Sequence, residues 1–305
     1  MNNRLLHGPP ILIDGGTGTE IERRGGGMHS GAWSARASLT HPRLVRDVHR
    51  SFLDAGAELI IANTYPSNYH VMAAAGLSHE FGQANRAALD QALEARAHVQ
   101  SDFPQREIWV AGSMSTTTFT GGIDASVIRS AGPPGEGYRA QAEIIAQSDV
   151  DLIILEMMRD VEETLSCLEA AQETGLPVWL GLSAEQQKDG TMVFHGSAEP
   201  FAEGLHAILD RATPPHALGV MHSEVAVTPE ALGMVSQVWD GPLFAYPHQG
   251  VFDMPNWRFD DSISPEEFAH AALQWVQQGA TAVGGCCGIR PEHIAQLRKQ
   301  LKALR

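Results

Sequence analysis

The sequence predicts one closed (β/α)8 barrel, the TIM-barrel fold of the α/β class, as a single domain over residues 1–305. Three observations carry this expectation. Short apolar runs alternate with longer segments of helical period, and the alternation counts to eight. No linker, internal repeat or shift in composition divides the chain, and 305 residues with 43% hydrophobic content suit one such barrel. Three of the helical segments open on proline in the first turn, two of them behind Thr228 and Ser264, which are good capping residues. An open, doubly wound sheet is the competing topology for the same alternation.

In order, the strand-like runs are Ile11–Ile13, Glu58–Ala62, Ile108–Ala111, Asp151–Leu155, Val178–Leu182, Ala217–Val220, Leu243–Ala245 and Thr281–Val283. Helices are expected between them. Pro42–Gly56 places Leu44, Val45, Val48, Phe52 and Leu53 on one face, and Glu80–Val99 is alanine-rich. Tyr138–Ser148 is short, and Val161–Thr174 ends at Gly175. Phe201–Leu209, Pro229–Val238, Pro265–Gln278 and Pro291–Leu304 complete the set. The Gly/Pro-rich patch Gly132–Gly137 reads as a loop.

Bulk properties narrow the function classes. A net charge of −15 argues against partners that want basic surface, namely nucleic acid and anionic membrane. No apolar run approaches the roughly 18–20 residues of a membrane span, and the N-terminal segment is too broken to serve as a signal peptide. Three cysteines, two of them adjacent, do not make a disulfide framework, so a reducing, cytoplasmic location is expected.

In a barrel of this kind, chemistry collects where the strands end. Taking the residues just past each run gives Asp14 with Gly15 and Gly16, then Asn63 with Thr64 and Tyr65, then Ser113, Glu156, Ser183, His222, Tyr246 with His248, and Cys286 with Cys287. Structural turns would favour Gly, Asn and Pro, whereas this ring holds two carboxylates, two imidazoles and two thiols. The last three runs are neighbours, so His222, His248 and the cysteine pair can converge. Thiolates and imidazoles are zinc ligands, and a catalytic zinc commonly keeps three protein ligands and one open position. Glycines at 284, 285 and 288 free the backbone to bend around adjacent cysteines. Two small buried residues or a strained vicinal disulfide are the alternative readings of the pair. Cys167, inside a helical run, is expected to be a core residue.

The chain resembles the homocysteine S-methyltransferases, zinc-dependent barrels that move a methyl group onto a thiol. The resemblance rests on DGGTGTEIERRG (14–25), Trp33, HPRLVRDVHRSFLDAGAELIIANTY (41–65), YRAQAEIIAQSDVDLIILE (138–156) and PVWLGLSAEQQKDGTMVFHG (177–196). Its most specific part is GATAVGGCCGIRPEHI (279–294), which is similar to the family's zinc-binding tail. The resemblance implies Zn2+ as cofactor, with a small-molecule thiol and a methyl donor as partners. It also implies that Asp14 and Glu156 hold an amino acid's ammonium group in a substrate site with Gly15, Gly16, Asn63, Ser113, Tyr246 and His248.

The sequence departs from the family pattern at strand ends. GVMHS (219–223) puts His222 where the family has its first zinc cysteine, and YPHQG (246–250) puts His248 in place of asparagine. GSMSTTTF (112–119) lacks the family's Gly-Pro turn, and Glu156 is followed by methionine rather than threonine. The scaffold motifs stay close to pattern, so the distribution points to a re-specified site. The expectation is a zinc site of His222, Cys286 and Cys287, with His248 as the alternative third ligand. Methyl transfer from a sulfonium or ammonium donor to homocysteine, or to a related thiol or selenol, follows from it. A zinc–water hydrolase or lyase and a metal-free binding protein are the other readings. The length favours the self-contained family members that use sulfonium donors.

Overall fold

The computed structural model describes residues 1–29, 31–117, 132–253, 256–259 and 262–303. Eight parallel strands run in chain order around the core. They are β1 (Ile11–Leu12), β2 (Leu59–Ile61), β3 (Trp109–Ser115), β4 (Leu152–Met158), β5 (Val178–Leu182), β8 (Ala217–Glu224), β9 (Leu243–His248) and β12 (Ala280–Val283). β1 pairs with β12, and a parallel bridge from Ile13 to Leu59 joins it to β2 on its other side. The first strand therefore meets both the last and the second, which is the closure of a (β/α)8 barrel and rules out the open sheet.

Strand alternation divides the apolar side chains between two cores. Leu59, Ile61, Trp109, Ile154, Trp179 and Phe244 fill the barrel, with the Trp179 and Phe244 rings 5.4 Å apart. Ile60, Val110, Ile153, Leu155 and Leu180 face the surrounding helices. The helix α1 (Asn2–His7) places Leu5 in the inner cluster.

Further helices follow the chain as α2 (Thr17–Arg23), α3 (Ala37–Thr40), α4 (Pro42–Ala55), α5 (Tyr69–Ala74), α6 (Phe81–Asp102) and α7 (Pro134–Ala146). After them come α8 (Val161–Gln172), α9 (Phe201–Arg211), α10 (Thr228–Ser236), α11 (Pro265–Gln277) and α12 (Pro291–Ala303). Their ends obey local chemistry. α4 stops at Gly56, whose φ of 119° suits only glycine. α11 opens on a capping box between Ser264 and Glu267.

The expected loop over Gly132–Gly137 is corrected in part, because α7 already begins at Pro134. Proline is at home in a first turn. Gly137 lies inside this helix, and its lack of a side chain admits His70, whose Cε1 a Cβ there would meet at 2.6 Å. Two antiparallel hairpins were not expected: β6 (Ala184–Gln186) with β7 (Met192–Phe194), and β10 (Val251–Asp253) with β11 (Asn256–Arg258). Both follow barrel strands and stand at the catalytic mouth. No helix among the described residues is long and apolar enough to cross a membrane.

Candidate metal centre and substrate pocket

Four barrel strands run further than their apolar runs, so Ser113, Glu156, His222, Tyr246 and His248 lie within the last turns of strands. The pairing slips between Leu155 and Met158 on β4 and between Met221 and Glu224 on β8. Such slips re-aim side chains. Among the described residues, the non-glycine positions with positive φ are Trp33 (41°), Met157 (54°) and His222 (54°). All three line one cavity at the barrel mouth. Left-handed backbone costs a non-glycine residue about 1–2 kcal/mol, and here that strain is concentrated around a single pocket.

His222, Cys286 and Cys287 offer ligand atoms that all lie within 4.8 Å of one another. His222 Nδ1 stands 3.6 Å from Cys286 Sγ, and the two sulfurs are 3.8 Å apart. A tetrahedral zinc with ordinary bond lengths would separate two sulfurs by about 3.8 Å, and a sulfur from a nitrogen by about 3.6 Å. Those two separations match that ion, and the two thiols and one imidazole are a donor set that suits it. Two features hold the cysteine loop in place. Cys286 N–H donates to the Pro247 carbonyl at 2.6 Å, and Gln249 N–H donates to the Cys287 carbonyl at 3.0 Å. Gly16 leaves room for it, since a Cβ there would meet Cys286 O at 2.7 Å and Cys287 Cα at 2.9 Å.

The electrostatics favour a cation at this place. Burial and the neighbouring Cys286 push the Cys287 thiol well above its usual range. Burial, followed by His248 and His195, holds the His222 imidazole well below the ordinary histidine range, so it stands neutral as a ligand must. The Ser183 hydroxyl donates to the His222 carbonyl at 2.7 Å and fixes the strained residue.

Of the two carboxylates, Glu156 lines the same cavity, while Asp14 is buried just before its lining residues Gly15 and Gly16. Asp14 is fully buried; its Oδ2 accepts Ile61 N–H at 2.8 Å and its Oδ1 lies 2.8 Å from the Tyr246 hydroxyl. Burial raises its carboxyl well above the usual range, and Glu156 adds to the rise. Burial likewise pushes Glu156 up to about 7, opposed by the Ser113 hydroxyl.

The other residues expected at the site divide. Gly15, Gly16, Asn63 and Tyr246 line the cavity. The Asn63 amide is engaged behind the wall, however, donating to the Ser34 carbonyl and accepting from the Ser34 hydroxyl, both at 3.0 Å. Ser113 is completely buried beneath Glu156. His248 packs behind His222, with ring centroids 4.4 Å apart, and borders a second cavity with Glu224 and Arg258. The metal-type cluster is closed by His222, and His248 is not part of it.

Sequence reasoning missed two neighbours. His195, just past β7, sets its ring edge-on to His222 at 5.7 Å and to His248 at 5.9 Å. Its sequence signal was a third histidine beside a strand-end pair. Trp257, on β11, lines the cavity and stands edge-on to His222 at 6.0 Å. It is carried by a hairpin that no periodicity announced.

A barrel mouth whose cavity holds a thiol–imidazole cluster of metal-binding type and the Glu156 carboxyl defines a metal-type site for a small polar ligand. The chain belongs to the homocysteine S-methyltransferase family, whose profile matches residues 11–301, and it is an S-methyltransferase of that class. It is 27% identical to a selenocysteine methyltransferase of Astragalus bisulcatus, over 98% of this chain and 95% of that protein. It is 25% identical to the homocysteine S-methyltransferase YbgG of Bacillus subtilis, over 97% of this chain and 96% of that one. The metallated form of the homocysteine methyltransferase MmuM from Escherichia coli shares the fold, with a TM-score of 0.78 at 24% identity over 98% of this chain and all of that one.

Proposed function

We propose that this barrel transfers a methyl group from a cationic sulfonium or ammonium donor to homocysteine, or to a related thiol or selenol, with zinc held by His222, Cys286 and Cys287. The observation that carries the reading is the separation of those ligand atoms, 3.6 Å and 3.8 Å, in the cavity that Glu156 also lines. Zinc there supplies the positive charge that keeps an incoming thiol in its nucleophilic thiolate form near neutral pH.

The chain's own residues do the rest. Asp14 and Glu156 face an ammonium group from β1 and β4, which orients the amino acid with its sulfur toward the cysteines. Trp33, Tyr65, Tyr246 and Trp257 wall the cavity with aromatic surface that excludes water and suits a cationic methyl donor. Excluding water matters twice, because it sharpens the electrostatics and prevents hydrolysis of an activated donor. His222 replaces a thiolate by a neutral imidazole, so the ligand set carries one less negative charge than three cysteines. The ion is then a stronger Lewis acid and a bound thiolate a weaker nucleophile.

The test is a thiol-methylation assay on zinc-loaded protein. Homocysteine, selenohomocysteine and selenocysteine are crossed with S-methylmethionine, S-adenosylmethionine and betaine. Turnover of at least one pair is expected, with sulfonium donors ahead of betaine. No turnover with any pair would discard the reading.

A further inference from the structure

Two barrel strands break their alternation at the mouth in the same way. On β8, Ala217 and Met221 point into the barrel, while Leu218 and Val220 face the helices. Strict alternation would turn His222 toward the helices as well. Its left-handed φ of 54°, within the pairing slip that follows Met221, turns it instead into the cavity beside Cys286. On β4, Ile153 and Leu155 face the helices, yet Glu156 and Met157 both line the cavity, and Met157 has the same φ of 54°.

β5 lies between these two strands, and the chain just past it is tied to both. Ser183 N–H donates to the Met158 carbonyl at 2.9 Å, and the Ser183 hydroxyl donates to the His222 carbonyl at 2.7 Å. The next residue adds a second tie to β8, where Ala184 N–H donates to Ser223 Oγ at 2.8 Å. Regular pairing of β5 with β8 stops at Leu182 and Val220, so these two hydroxyls take over where the ladder ends. Both serines are completely buried. Their bonds fall on the left-handed residue itself and on the one after it. Such a backbone persists only where its surroundings over-determine it.

We infer that Ser183 and Ser223 are positioning residues for the metal, because their hydroxyls hold the left-handed turn at His222 that brings its Nδ1 to the cysteine pair. The inference rests on the proposed zinc site and adds what aims its imidazole. Removing either hydroxyl frees the turn to relax toward extended backbone, which points the ring away from Cys286. Neither serine reaches the ion or the substrate, and alanine changes no charge. Their whole effect on the metal therefore passes through His222. Buried serines that only satisfied backbone groups would serve the fold alike whether or not residue 222 carried an imidazole.

The experiment measures zinc affinity by competition with chelators of graded strength, on reduced protein. Ser183→Ala and Ser223→Ala are each made in wild type and in His222→Ala. With His222 present, either serine change should weaken zinc binding about 10- to 100-fold, the usual effect of losing a group that orients a metal ligand. In the His222→Ala background, where only the two cysteines remain, the same change should alter the affinity by less than about twofold. Serine variants that bind zinc as tightly as wild type overturn the inference and leave the zinc site standing. An equal loss in both backgrounds also overturns it, because the serines would then act on the fold as a whole. Zinc affinity that His222→Ala leaves unchanged overturns the zinc site itself. Should one serine variant fail to fold, the other carries the same comparison.

Discussion

Glu156→Gln should make the metal-stripped, ligand-free protein more stable above neutral pH while crippling its chemistry. Burial moves this carboxyl from 4.5 to about 7. The group is 8% exposed, so solvent screening discounts the effect little. Its folded value lies above its unfolded one, so the folded state keeps the proton in a window where the unfolded chain has lost it. Stability therefore falls as pH rises from about 4.5 to about 7 and levels off above. At about 1.36 kcal/mol per pH unit the loss amounts to about 3 kcal/mol. Glutamine keeps the shape and the neighbouring Ser113 hydroxyl but cannot ionise. The variant should match wild type near pH 4 and exceed it by up to about 3 kcal/mol above pH 7. Asp14 contributes with the same sign in both proteins, and because Glu156 adds to its rise, the difference also carries the coupling between the two carboxyls. Urea midpoints measured across this range give the comparison. Parallel pH profiles for the two proteins would refute a buried, destabilising Glu156. On the zinc-loaded protein, the same change should lower kcat/KM about 10- to 100-fold through loss of a charged hydrogen bond to the substrate.

Other perturbations separate metal site from scaffold. His222→Ala should drop the zinc content from about one per chain to well below it, whereas His222→Cys should retain the ion, both read by metal analysis. Gly16→Ala drives a Cβ to 2.7 Å from Cys286 O and 2.9 Å from Cys287 Cα. It should cost about 1–3 kcal/mol in denaturation and weaken zinc binding against a competing chelator. Trp179→Ala removes a fully buried ring from the barrel interior and should cost about 3–5 kcal/mol without changing the zinc stoichiometry.

Much of the architecture was legible because its signals are local. Apolar runs of strand length recur eight times between helical segments, some of them opened by proline, and each barrel strand falls on its run. Ser264 marks α11 through a cap that the sequence spells out. Closure is not local: the bridge from Ile13 to Leu59 depends on twist accumulated over the whole sheet. The hairpin β10–β11 has runs of three residues, too short for a period to register, and with it Trp257 escaped notice. The cysteine pair and His222 were legible as strand-end residues on neighbouring strands. The choice between His222 and His248 was not, because it turns on a backbone slip near Met221 and a left-handed φ at His222. Asn63 shows the opposite limit. Its position at a strand end was readable, but its engagement with Ser34 across the wall was not.

X-ray absorption at the zinc edge, before and after adding selenohomocysteine, tests the central claim most directly. Two sulfur scatterers and one imidazole, from Cys286, Cys287 and His222, are expected, joined by one selenium neighbour once the selenol is added. The imidazole signal should disappear in His222→Ala. A zinc shell without imidazole, or one that gains no selenium, would overturn the His222–Cys286–Cys287 site as the place where the acceptor binds.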